Sequence, residues 1–248
     1  DQDAVHVRHN CGIRYRGAGS RGRAQAGYRL NIPTDHLWNG KSAMNLNSQY
    51  THAQLIGSKV ALKAGLPAAN ARPVQLRINA SNPAQSGLPQ FGSYVHVEPI
   101  NNEFADVHFP ADSDGNVYRA SSGSHAARLT YLGTNPSAYI GAGYSKTSNT
   151  SENDWSDLMA LTFALDPATT PDTDYVAALK RNANVDLWLR YFAVLSLMEY
   201  TETSLGTGNG DDYAMYRGVR DPRFVVVSHD FDTIFGQGDT AGNVNENI

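Results

Sequence analysis

The stretch that most constrains this chain is residues 225–236, VVVSHDFDTIFG. It opens on Phe224, Val225, Val226 and Val227, an apolar, β-branched run that suits a buried strand. The run stops abruptly at His229-Asp230-Phe231-Asp232, so two carboxylates stand where a core strand gives out. Residues two apart in an extended segment point to the same side, which predicts Asp230 and Asp232 on one face. Two hard, anionic oxygen donors on one face suit a divalent cation such as Mg²⁺. The competing reading is structural: aspartates at a strand end also cap turns or the helices that follow.

The 248 residues allow one large domain or two lobes around a substantial core. The hydrophobic share of 41% and aromatic share of 10% fit a globular protein. A net charge of −4 gives no general attraction to nucleic acid or to an anionic membrane, so neither is an expected partner. One cysteine, Cys11, excludes an intrachain disulfide. No apolar run approaches the ~20 residues of a membrane span. The chain starts at Asp1 without a methionine and stops in a polar tail, residues 242–248. It is therefore expected to be a piece of a longer protein, and missing targeting signals say nothing about its destination.

Residues 5–32 read as a β-hairpin: loose alternation over 5–15, a glycine-rich turn over 16–22, and a returning strand over 28–32. A helix is predicted over 53–64, stopped by Gly65. Residues 74–78 alternate as a strand, with 92–99 as its antiparallel partner; 112–116 form a tight turn before a short strand at 117–119. Residues 1–120 thus form a β-rich N-terminal lobe with one helix. A polar stretch over 121–152 reads as an irregular linker. Residues 153–248 form a helical C-terminal lobe, with helices over 154–165 and 174–180. Residues 185–200 are apolar almost all round, which predicts a buried central helix. A glycine-broken connector at 206–210 leads to a strand over Tyr213–Arg217, a turn at Asp221-Pro222, and the valine run. The expected class is α+β.

Several chemistries are excluded by motif. There is no Walker phosphate loop and no strand-linked dinucleotide fingerprint, and the glycines at 206–210 lack the helix such a loop needs. No HExxH, CxxC or GxSxG element occurs. Asp112-Ser113-Asp114-Gly115-Asn116 starts like a calcium loop but lacks the later acidic ligand, so a β-turn is the better reading. The acidic density around the last hairpin is different. Glu199 and Glu202 leave the long helix, Asp211 and Asp212 enter the hairpin's first strand, and Asp230 and Asp232 leave its second. Closure of the hairpin brings these together, where they would repel one another without a cation. In the N-terminal lobe Arg14, Arg16, Arg21 and Arg23 flank the glycine turn. Their planar forks and the loop amides could grip a phosphate chain, or they could simply be solvated.

In this order and spacing, these segments resemble the spore coat protein H (CotH) kinase family, from Ile13 to Gly236. Residues 13–21, IRYRGAGSR, look like the family's strand and "RGNSSR" turn; Tyr28 to Ile32 matches the next strand. Asn45-Leu46-Asn47 matches its asparagine-leucine-asparagine signature, Glu98 its strand-end glutamate, and residues 228–232 its "WDLD"-like metal motif. Two departures mark a divergent branch. Ala24-Gln25-Ala26-Gly27-Tyr28 replaces a lysine-bearing "PKKSY"-like run, and Glu202 stands where the usual catalytic aspartate falls; Asp212 aligns with an asparagine of the "HNYYLY" strand.

The resemblance implies an atypical protein-kinase-like fold with a metal-site hairpin, in an extracellular or cell-surface setting. It implies a phosphotransferase using ATP and Mg²⁺ (or Mn²⁺) on protein Ser/Thr hydroxyls. Asp230 would be the principal metal ligand, joined by Asp232 and Asp212, and Glu202 the base or orienting residue. Arg14, Arg16 and Arg21 would face the phosphates, and Glu98 would order a basic partner. Two rivals keep the same residues: a non-catalytic kinase-like surface or assembly module, favoured by the missing lysine, and a nucleotidyl transferase.

Overall fold

Short antiparallel steps build the first layer. β1 (Gly12–Arg16) passes through a single 3-10 turn at Gly19–Gly22 into β2 (Gly27–Asn31), pairing Arg14 with Arg29 and Tyr15 with Tyr28. β3 (Ala43–Asn47) follows beside β2. α1 (Thr51–Lys63) then leads to β4 (Ala71–Val74) and β5 (Tyr94–Val97), completing an antiparallel sheet of order β1-β2-β3-β5-β4. This computed structural model describes residues 5–17, 19–22, 25–87, 90–120, 126–200, 202, 205 and 210–238. Expectations that fall on Arg23, on residues 121–125, on 206–209 and on the tail 242–248 lie outside the described residues.

After α2 (Asn102–His108) the chain enters a second antiparallel sheet with β6 (Asn116–Ala120). α3 (Pro136–Ala142) and β7 (Tyr144–Lys146) come next, then α4 (Ser156–Leu165), α5 (Asp172–Asn182) and α6 (Val185–Leu197). β8 (Tyr213–Arg217) and β9 (Val225–Val227) close the sheet in the order β7-β6-β8-β9. The class is α+β, as expected.

The valine run earns its position between two cores. Val225 and Val227 share one face of the second sheet with Val117, Ala214 and Tyr216, and pack with Val95 and Val97 of the first sheet and Phe104 of α2. Val226 faces the other way with Tyr118, Tyr213 and Met215, against Leu158 of α4, Tyr191 and Leu195 of α6, and Ala53 and Ala61 of α1. With both faces covered, a strand needs apolar residues at every position. At roughly 1.5–3 kcal/mol per fully buried aliphatic side chain, this run is a large local contribution to the fold.

Three expectations need correction. The first strand of the predicted 74–78 pair runs instead over Ala71–Val74; Pro73 lacks an N–H, which an edge strand tolerates. α6 is not buried all round: Trp188, Tyr191 and Leu195 are buried, but Leu189 and Leu197 are 63% and 81% exposed. One face suffices because α6 packs on a single side of the second sheet. The stretch expected to be irregular contains α3 and β7. The turn expected at 112–116 is present before β6, and in it Asp112 accepts backbone hydrogen bonds from Val219, Arg220 and Asp221 at 2.9–3.0 Å. That carboxylate clamps the β8–β9 loop.

Candidate active site

The open end of the β8–β9 hairpin is where the expected carboxylates gather. The register pairs Ala214 with Val227, so the chain segments before Tyr213 and after Ser228 leave the sheet side by side. Beyond β9 the chain changes partners: Ser228 bonds Pro67 and Ala69 behind α1. Asp230 then adopts a left-handed backbone, φ 57°, and residues 231–233 turn. The two aspartates are therefore not displayed on one strand face, because the extended geometry that would put them there ends at Asp230.

The turn is held from three sides. Phe231 is buried against α1, where a Cβ at Gly57 would fall 2.5 Å from the Phe231 side chain; a helix approaches this closely only at glycine. The Tyr200 hydroxyl lies 2.8 Å from the His229 carbonyl oxygen and 3.1 Å from that of Asp230. The Phe235 N–H donates to the Met198 carbonyl at the end of α6. These contacts place Glu202 on the turn, its Oε2 accepting from the Thr233 hydroxyl at 3.1 Å and its carboxyl hydrogen-bonded to Asp232.

The carboxylates differ sharply in their proton affinity. Burial would raise Asp230, but the Arg16 charge, His229, a 2.8 Å hydrogen bond from Gln54 Nε2 and the Arg119 charge outweigh it and hold Asp230 below its ordinary value. Asp212 is pushed up to about 7 by burial and by the charges of Asp230 and Asp211. Glu202 is raised far above the carboxylate range, first by burial, then by its bond to Asp232 and the charges of Asp230, Asp232 and Asp212. Near neutral pH the set holds Asp230 ionised and Glu202 protonated. A general base has to be deprotonated, so Glu202 is not in the base form as it stands.

Cation chemistry follows from the donor set. Asp212, Asp230, Asp232 and Glu202 offer only oxygen, which suits Mg²⁺ or Mn²⁺ rather than a soft metal. Among the described residues, no three acidic, histidine or cysteine side chains are gathered at ligand geometry around one point. Binding a cation would require these side chains to turn toward one point.

The basic residues divide. Arg16 bonds Asn47 Oδ1 at 2.6 Å and acts electrostatically on Asp230. Arg14 pairs with Arg29 across β1–β2, and its charge acts on Arg29. Arg21 is exposed and donates to the Gly17 carbonyl. Glu98 belongs to a different network: Lys41 Nζ lies 3.2 Å away, His108 Nε2 2.8 Å, and Asn70 donates from backbone and side chain. Sequence reasoning missed Gln54, Tyr200, Arg29 and Arg119. A signal existed for Gln54, since Gln54 and Ser58 stand four apart on a helix face and both are buried. Arg119 is the one charged residue in β6. A separate cavity of about 680 Å³ opens beside α4 and α5, lined by Tyr131, Met159, Phe163 and Ala178 among others, and includes none of these site residues.

No curated protein matches the chain. A family model described as CotH kinase protein matches residues 13–247, nearly the whole chain, and the protein belongs to that family.

Proposed function

We propose that the cluster at the end of the β8–β9 hairpin is the centre of a phosphotransferase that uses ATP with Mg²⁺ or Mn²⁺ and acts on Ser/Thr hydroxyls of a protein. The family supports kinase-like chemistry. The observation that carries the finer reading is the meeting of opposite charges: an ionised Asp230 of the second sheet's hairpin acted on by Arg16 of the first sheet and by Arg119. Phosphoryl transfer asks a protein mainly to position groups and neutralise charge, so carboxylates for a cation and arginines for phosphate can be most of the machinery. A divalent cation would supply Lewis acidity and neutralise phosphate charge.

The chain's own residues have defined tasks in this reading. Asp230, kept ionised by Arg16, Gln54 and Arg119, is the principal cation ligand, with Asp232 and Asp212 alongside. Glu202 stores a proton against Asp232 until opposing positive charge lowers its affinity, and then orients the acceptor hydroxyl. Arg14, Arg16 and Arg21 face the phosphates. The two lobes of the kinase-like arrangement are the first sheet with α1 and the second sheet with its helices. The spore-coat association of the family fits a surface setting.

One observation favours the rival, a non-catalytic kinase-like surface or assembly module: Glu202 is bonded to Asp232 and Thr233, and burial with its acidic neighbours favours its protonated form. Thermal unfolding with ATP, with and without Mg²⁺ or Mn²⁺, tests the reading. Ligand at about 100 times its Kd should stabilise the protein by about 2.7 kcal/mol, only when metal is present. Absence of any metal-dependent shift sinks the proposal. A shift without phosphate transfer to a protein acceptor selects the non-catalytic module.

A further inference from the structure

β6 carries a cation that the glycine-turn arginines do not account for. Arg119 pairs with Ala214 across β6–β8, so strand alternation puts it on the face shared by Val117, Ala214, Tyr216, Val225 and Val227. That face packs against the first sheet through Val95 and Val97. In the first sheet the ladder carries Val97 to Asn45, Asn45 to Arg29, and Arg29 to Arg14, with Asn47 paired to Val95. The space between the sheets is thus apolar beneath β5 and basic beneath β2 and β1.

Arg119 enters the basic part. The charges of Arg16, Arg29, Asp230 and Asp212 all act on it, and burial with the two arginines lowers its pKa to about 10. Arg16 and Arg29 are bonded to the neutral side-chain oxygens of Asn47, Asn45 and Asn31, which leaves their positive charge uncancelled by those partners. Among the described residues, Arg119 Nε is buried with no hydrogen-bond partner. A buried donor left without a partner is costly to a fold. An orphaned donor on one guanidinium group, with two further guanidinium groups acting on it, describes a place prepared for an anion with several acceptor oxygens.

We propose that Arg119 is the principal phosphate-binding cation of this site, donating from its fork to the phosphate chain of a nucleoside di- or triphosphate, with Arg16 and Arg29 flanking it. The assignment rests on the phosphotransferase reading and sharpens it. It moves the main phosphate contact from the exposed glycine turn to the space between the sheets, and it supplies the positive charge that Gln25 and Ala26 do not. Arginine can bind phosphate oxygens in a bidentate way that lysine cannot.

Calorimetric titrations of wild type, Arg119→Gln and Arg119→Lys with Mg-ATP, inorganic tripolyphosphate and adenosine test it. Arg119→Gln should weaken Mg-ATP and tripolyphosphate by about 10- to 100-fold, the range for hydrogen bonds to charged groups, and leave adenosine within about two-fold. Arg119→Lys, which keeps the charge and loses the fork, should fall between. Equal Mg-ATP affinity in wild type and Arg119→Gln overturns the assignment while leaving the phosphotransferase reading intact. Equal losses for ATP and adenosine also overturn it, because they mark a general distortion. If Arg119→Gln does not fold, Arg119→Lys decides: unchanged tripolyphosphate affinity overturns the proposal. A wild type that binds neither ATP nor tripolyphosphate defeats both readings together.

Discussion

Two buried carboxylate networks in this molecule face opposite electrostatic situations. Glu98, 5% exposed, meets Lys41, His108 and two donors from Asn70. Burial would raise its pKa, but the hydrogen bonds from His108 and Asn70 win and bring it to about 2. At the hairpin end, Asp212 and Glu202 meet other carboxylates, and both are driven upward by burial and like charge. The first network is complete within the chain. In the second Asp230 is held ionised while burial and like charge favour the protonated forms of Asp212 and Glu202. A fold gains by completing a structural network; an incomplete one, which costs stability, points to a ligand.

Removing the carboxylate that the second network holds ionised should have the largest effect. Asp230→Asn should abolish metal-dependent nucleotide binding and lower phosphate transfer by about 100- to 1000-fold, the scale for loss of a group placed to stabilise developing charge. It should also lower the metal-free melting temperature, because Arg16 and Arg119 lose their counter-charge. A melting temperature equal to or above wild type would show that Asp230 suffers the same repulsion as its neighbours.

The complete network should respond to acid in the opposite sense. Glu98 has a folded-state pKa near 2 against an ordinary 4.5. Its contribution is therefore fully present above about pH 4.5 and is lost as pH falls toward 2. Glu98→Gln should cost about 2–3 kcal/mol at pH 7, measured by chemical denaturation, and should flatten the acid limb of the stability profile. An unchanged limb would assign acid unfolding to other groups.

The smallest effect, and the sharpest contrast, belongs to Asp212. Its pKa rises from 3.8 unfolded to about 7 folded. Between those values the folded state holds the proton that the unfolded state has lost, so stability falls as pH rises through this window. Asp212→Asn should therefore stabilise the metal-free protein by about 1–2 kcal/mol at pH 8, with the raw shift discounted for partial exposure, and have no such benefit at pH 3.5. Saturating Mg²⁺ should erase the gain. A destabilised Asp212→Asn at pH 8 would place Asp212 with Glu98 rather than with Glu202.

Much of this was legible from local chemistry. The valine run, the antiparallel return at residues 12–31, the helix at α1 and the strand at Tyr213–Arg217 follow from periodicity and turn residues that act within a few positions. The convergence of acidic residues at one hairpin end could be read because a hairpin's ends are linked by its register. The mistaken details share one cause: a period describes an element and not its neighbours. α6 reads as apolar all round because sequence does not reveal that only one of its faces meets the sheet. The shared face of Asp230 and Asp232 was inferred from strand geometry that a left-handed residue ends.

By itself, the sequence determined the α+β class, the acidic end of the last hairpin, and the arginines and asparagines of the first strands. Tertiary structure alone decided which of those charges meet. Layering one sheet over the other delivers Arg119 to Arg16, Arg29 and Asp230, whose positions in the chain are 103, 90 and 111 residues from it. It also assigns Lys41 and His108 to Glu98. The physical reason is range: backbone preference is fixed by neighbours along the chain, whereas a side chain's field and desolvation depend on groups brought close only by packing.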